Sequence, residues 1–123
     1  MNSFLYKIVT QAEWQSAQET GLIPVNQMDQ TDGYIHLSTK DQYLTTAHLY
    51  FSADDRPLVI ELDPTQIDGE ICWEWSEQRQ SNFPHLYAQT LPLNAAHSVL
   101  SLCFSKNGCT IDAQQLIDPH GTR

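Results

Sequence analysis

Tyr34-Ile35-His36-Leu37-Ser38, followed by Thr39 and, three residues on, Gln42, is the stretch on which the fold turns. Its apolar–polar alternation reads as a strand. Thr39 and Gln42 form the capping-box pair that opens a helix, expected to run to about Tyr50. The same strand-then-helix order stands upstream. Phe4-Leu5-Tyr6-Lys7-Ile8-Val9 alternates, and Thr10 with Glu13 opens a helix that carries Ala12, Trp14 and Ala17 and stops at Gly21. Pro24 to Gly33 reads as a loop with two acids, Asp29 and Asp32. Downstream of Asp54-Asp55-Arg56-Pro57 the pattern changes to strands. Leu58 to Asp63 is the clearest of them, and Glu70 to Trp75 alternates behind it. Phe83 to Tyr87 is an edge strand or a rigid loop, because Pro84 lacks a donor. Leu91 to Asn94 is a turn or short helix, Ser98 to Ser105 a long apolar strand, and Asn107-Gly108 a hairpin turn into Cys109-Thr110-Ile111. Helices early and strands late predict an α+β fold rather than a βαβ repeat. At this length one domain is expected, over residues 1–117, with 118–123 a polar tail.

The net charge is −9, from 15 acidic and six basic residues, and the basic ones form no run. That balance excludes tight nucleic-acid binding, which needs several Lys or Arg on one face, and argues equally against an anionic membrane surface. A small anionic ligand remains compatible, since one or two cations suffice to hold it. Cys72, Cys103 and Cys109 are odd in number and form no C-x-x-C, so buried free thiols in a reducing cytoplasm are expected. The first ten residues show no signal-peptide pattern, and no apolar run reaches the ~20 residues of a membrane span.

Three segments carry candidate chemistry. In an extended 34–38 segment, Ile35 and Leu37 face the core while Tyr34, His36 and Ser38 share the other face. The helix opening at Thr39 would add backbone N–H groups for an anion. In Phe83-Pro84-His85-Leu86-Tyr87, the face carrying Phe83, His85 and Tyr87 suits a flat ring. In Trp73-Glu74-Trp75 both indoles are expected in the core, with Glu74 on the opposite face as a general base. Each segment also has a plainer reading, as a satisfied strand histidine, ordinary loop packing and a solvated carboxylate. No metal-ligand spacing, phosphate loop or nucleophile elbow is present.

Taken in order, Leu5 to Thr10 with Glu13-Trp14, Asp32 to Thr39, Trp73-Glu74, and Phe83 to Tyr87 with Leu91-Pro92-Leu93 resemble a mostly bacterial family catalogued as domain of unknown function 952. The family's domain looks like a compact relative of the ADP-ribosyltransferase fold, and Ile35-His36-Leu37-Ser38 is similar to a motif of NAD-using tRNA 2′-phosphotransferases. The resemblance implies an ADP-ribosyltransferase-like split sheet with two N-terminal helices and an NAD-type pocket. Where that superfamily's first strand often carries a ribose-contacting His and then Thr or Ser, this chain has Lys7 and Val9. Lys7 is therefore expected to hold a phosphate.

Two function classes follow. In one, the chain is an ADP-ribosyl-transfer enzyme acting on NAD or a related nucleotide. His36, His85 and Glu74 would be catalytic, and Lys7, Tyr34, Ser38, Thr39 and Tyr87 would bind the ligand. In the other, the same pocket binds a nucleotide or metabolite without turnover, or is the vestige of a site in a protein-interaction domain. An acid–base hydrolase using His36 and His85 is a further possibility. No cofactor is expected beyond NAD as a substrate, and the site reading predicts that His36, Glu74 and His85 converge in one cleft.

Overall fold

A computed structural model describes residues 3–105 and 108–117. Of the expected Asn107-Gly108 hairpin turn, residue 107 lies outside the described residues, as does the tail 118–123.

The first strand and helix form where their sequence patterns place them. Strand β1 (Leu5–Val9) runs into helix α1 (Gln11–Thr20), whose Thr10–Glu13 capping box is complete and whose cap, Gly21, takes a left-handed φ of 80°. Trp14 and Ala17 are its buried face. Strand β2 (Leu22–Ile23) follows. The stretch expected as a loop then contains a second capped helix, α2 (Gln27–Asp32). Asn26 accepts from the backbone of Asp29 while Asp29 accepts from the backbone of Asn26, and Gly33 closes the end at φ 84°. Three helices, not two, therefore precede the main strands. The missed signal was Asn26-x-x-Asp29, the short-acid form of a capping box.

Strand β3 covers only Ile35–His36, and helix α3 begins at Tyr43 rather than directly after Thr39. Of the predicted Thr39–Gln42 cap one half forms, Thr39 N donating to Gln42 Oε1 at 3.0 Å. Residues 40–42 are a turn. α3 ends at Tyr50.

The later strands are β4 (Leu58–Leu62), β5 (Glu70–Ser76), β6 (Ser81–Tyr87), β7 (Leu91–Pro92), β8 (Ala96–Ser105) and β9 (Gly108–Ile117). All pair antiparallel, in a four-stranded sheet β1-β4-β8-β9, a three-stranded sheet β3-β6-β5 and a small pair β2-β7. The two larger sheets meet at one bridge. Tyr6 N donates to Ser38 O and Ser38 N to Tyr6 O, each at 2.8 Å. The 34–38 segment thus pairs with β6 through its first half and with β1 through its last residue. His36 lies at that seam.

Three further expectations need correction. Phe83 to Tyr87 is no edge or loop: β6 is the middle strand of its sheet. Leu37 N donates to Pro84 O at 3.2 Å. The reciprocal bond, which Pro84 cannot donate, falls on the rung where the partner segment leaves for β1, so a proline costs little there. Trp73 and Trp75 are not core either, being 56% and 55% exposed. They do share a face with Ile71, but the core cluster reaches Ile71 and stops, and β5 is an edge strand that runs on past it. The thiols differ as well, Cys72 being half-buried and Cys103 exposed. Among the described residues, no helix is long and apolar enough to cross a membrane.

Candidate functional site

The site is assembled by strand register. His36 stands directly opposite His85, and Cys72 opposite His85 on the other side. Directly paired residues project from the same face of a sheet. His36, His85, Tyr87 and Glu74 therefore share one face, reached from three strands. The His36–His85 rung is a non-hydrogen-bonded one, next to the rung where Leu37 N bonds Pro84 O, and His36 N, turned away from β6, donates to the Asp29 carboxylate at 2.9 Å. Side chains stand closest on such rungs, and the two imidazole centroids are 5.6 Å apart. Tyr34 packs over both, 4.0 Å from His85 in a stack and 4.6 Å from His36. Tyr87 flanks Tyr34 at 5.4 Å.

The two histidines differ in what their nitrogens meet. Both nitrogens of His36 face carboxylates. Nδ1 lies 2.7 Å from Asp29 Oδ1, and Nε2 lies 2.9 Å from Asp32 Oδ2. Both donate at once only when the ring carries two protons. Asp29 is fully buried and also accepts from Lys7 Nζ at 2.8 Å and from Asn26 N at 3.1 Å. Burial acts to raise its pKa, but the His36 hydrogen bond and the Lys7 charge outweigh it and hold the carboxyl at about 2.

His85 is oriented from behind and free in front. Its Nδ1 lies 2.6 Å from Glu74 Oε1, which also accepts from Tyr87 OH at 2.8 Å. These two donors hold Glu74 below the usual carboxylate range. Donating that bond to a carboxylate pushes Tyr87 up to about 12. An ionised Glu74 can only accept, so Nδ1 carries a proton and Nε2 is the exchangeable position. Among the described residues, Nε2 has no hydrogen-bond partner, and His85 lines a cleft of about 960 Å³. Tyr34, His36, Ser38 and Phe83 line it too.

The cleft sits along the seam of the sheets, and its relatives show the same fold. The family model described as "Protein of unknown function (DUF952)" matches residues 8–99. The chain belongs to the DUF952 family. Its fold is similar to that of protein CC0527 from Caulobacter crescentus. The crystal structure of that protein is 28% identical over 86% of this chain and 91% of the other, with a TM-score of 0.75. Its solution structure, also 28% identical over 86% and 90%, gives 0.71. No curated protein sequence matches the chain.

Within this DUF952 chain, the structure brings His36, His85, Glu74, Tyr34 and Tyr87 together. Lys7 and Ser38 also line the cleft, but both are buried with their polar groups engaged by the protein. Lys7 is 2% exposed and commits its ammonium to Asp29 and the His36 carbonyl, so it is not free to hold a phosphate. Ser38 is buried and its hydroxyl reaches Thr46 Oγ1 at 3.4 Å. Thr39 does not line the cleft. Sequence reasoning missed Asp29 and Asp32, which hold His36. The Asn26–Asp29 cap that presents them was legible, but its ends meet His36 only after folding.

Proposed function

We propose that the cleft binds a small ring-bearing metabolite of nucleotide type, and that His85 exchanges a proton with it through Nε2. The observation that carries this reading is the Glu74 carboxylate on His85 Nδ1. A carboxylate that fixes one imidazole nitrogen as a donor leaves the other as acid or base, the arrangement used in general acid–base catalysis. His36, with both nitrogens engaged by carboxylates, serves as a fixed wall of the cleft instead. Tyr34 offers a ring face for stacking.

ADP-ribosyl transfer from NAD is the specific form of this reading that the sequence resemblance suggests. The carboxylates of Asp32 and Glu74 near the stacking face suit a cationic nicotinamide and the oxocarbenium-like centre left when it departs. His85 would then take the proton from the acceptor that attacks.

The test is thermal-shift titration with NAD, ADP-ribose and nicotinamide on the wild type, His85→Ala and Glu74→Gln, with NMR detection of released nicotinamide. At a hundredfold excess over its dissociation constant, a ligand of the folded state adds about 2.7 kcal/mol. A shift with turnover that falls about 10²-fold or more in both variants supports the reading. A shift without turnover makes the cleft a binding site. No shift with any of the three ligands removes NAD as the substrate. Turnover that survives His85→Ala rules out the proton-transfer role.

A further inference from the structure

Arg79 lines the same cleft and has no part in the chemistry above. It sits in the turn between β5 and β6, half-buried. Its Nη1 donates to Thr46 Oγ1 at 2.8 Å and its Nη2 to Gln42 O at 3.5 Å, and its Cζ lies 4.6 Å over the Phe83 ring. Among the described residues it forms no ion pair. That is unexpected in a chain with 15 acidic and six basic residues. A guanidinium has five N–H donors, so several are left for something else.

The guanidinium is held ready. Thr46 Oγ1 passes its own hydrogen to Gln42 O at 3.1 Å, and Gln42 Nε2 ties the start of α3 to β6 through Ser81 Oγ and Asn82 O. Stacking on Phe83 fixes the plane. The carboxylates that also line the cleft are each engaged locally. Glu13 accepts from Thr10 N, Asp32 meets His36, Asp55 accepts from Ser52 N, and Glu77 accepts from Trp75 and Gln80. None of them neutralises Arg79.

Phe83 and His85 are two residues apart on one face of β6, about 7 Å along a strand. We propose that Arg79 anchors an oxyanion, a phosphate or a carboxylate, of the molecule whose reacting end lies at His85. This rests on the cleft being the binding site proposed above, and it narrows the substrate class. The ligand is anionic where it meets Arg79 and carries a neutral or cationic ring beside Tyr34 and the Asp32–His36 pair. An oxyanion suits Arg because the planar fork donates two parallel bonds to it.

The experiment is a ¹H–¹⁵N NMR titration with methyl phosphate, acetate and nicotinamide at constant ionic strength, on the wild type, Arg79→Gln and Arg79→Lys. We expect one or both oxyanions to move the Arg79 Nε–H and the Thr46 and Phe83 amides. Affinity falls about tenfold or more in Arg79→Gln. Arg79→Lys, which keeps the charge but not the fork, lies between and decides the matter if Arg79→Gln does not fold. Methyl phosphate binding without acetate assigns the anchor to phosphate, and the reverse to carboxylate. Oxyanions that bind equally well in both variants, move only residues elsewhere, or move nothing overturn the proposal. Nicotinamide separates the two readings. If it moves Tyr34 and His85 while the oxyanions fail, the His85 cleft stands and Arg79 is not its anchor. If the oxyanions bind at Arg79 and no ring ligand reaches His85, the anchor stands and the acid–base reading falls.

Discussion

Replacing Asp29 by Asn removes the one negative charge on which both Lys7 and His36 depend. In the wild type the carboxyl sits at about 2 against an ordinary 3.8. A carboxyl depressed on folding stabilises the folded state above its unfolded pKa and loses that contribution as pH falls through the folded one. Asp29 therefore contributes about 2 kcal/mol above pH ~4, lost as the pH drops toward ~2. At pH 7 the substitution costs more than that. Lys7 is 2% exposed, and burial already lowers its pKa, with Asp29 the main opposing influence. Breaking a buried pair from one side leaves the other charge stranded and costs about 3–5 kcal/mol. Lys7→Met combined with Asp29→Asn removes both charges and is expected to recover part of that loss. Urea unfolding at pH 7, repeated between pH 2 and pH 5, measures both effects. The reasoning is refuted if Asp29→Asn lies within about 1 kcal/mol of wild type, or if its stability falls through the acid window as steeply as wild type does.

Three further outcomes are expected. Tyr87 ionises at about 12 because its hydroxyl donates to Glu74; in Glu74→Gln its absorbance titration should move down toward the ordinary value near 10. Gly69→Ala should lower Tm clearly, because φ is +120° and a Cβ would meet Ala88 Cβ at 2.9 Å. Gly33→Ala meets open space and strains only φ, so it costs about 1–2 kcal/mol. Trp73→Thr and Trp75→Thr should each change unfolding free energy by about 0.5 kcal/mol or less, whereas Trp14→Ala, at a side chain 2% exposed, should cost about 3–5 kcal/mol. Comparable losses at Trp73 and Trp14 would place the edge indoles in a core after all.

Local pattern determined much of this molecule. The Thr10–Glu13 box, the left-handed Gly21 and the apolar, β-branched run of Leu58 to Leu62 are each local signals, so the elements they mark are legible in the chain alone. The inward Ile35 and Leu37, and the shared face of Tyr34 and His36, follow from the two-residue period of a strand. The convergence of His36, Glu74 and His85 is an expectation that their three segments raise, though no local contact fixes it.

Tertiary structure decided the rest, because it depends on pairing between distant residues. Register alone sets His36 against His85 and swings Glu74 behind it. Pro84 is admitted to a central strand only because its partner leaves on that rung. Trp73 and Trp75 alternate like core residues, yet their fate rests on whether anything packs against the end of an edge strand. Lys7 reads as a free cation in sequence and is consumed by Asp29, 22 residues away. Arg79, an ordinary residue of a polar turn by its sequence, is left without a carboxylate among the described residues. A one-dimensional pattern carries the face on which a side chain lies; only the folded chain says what lies across from it.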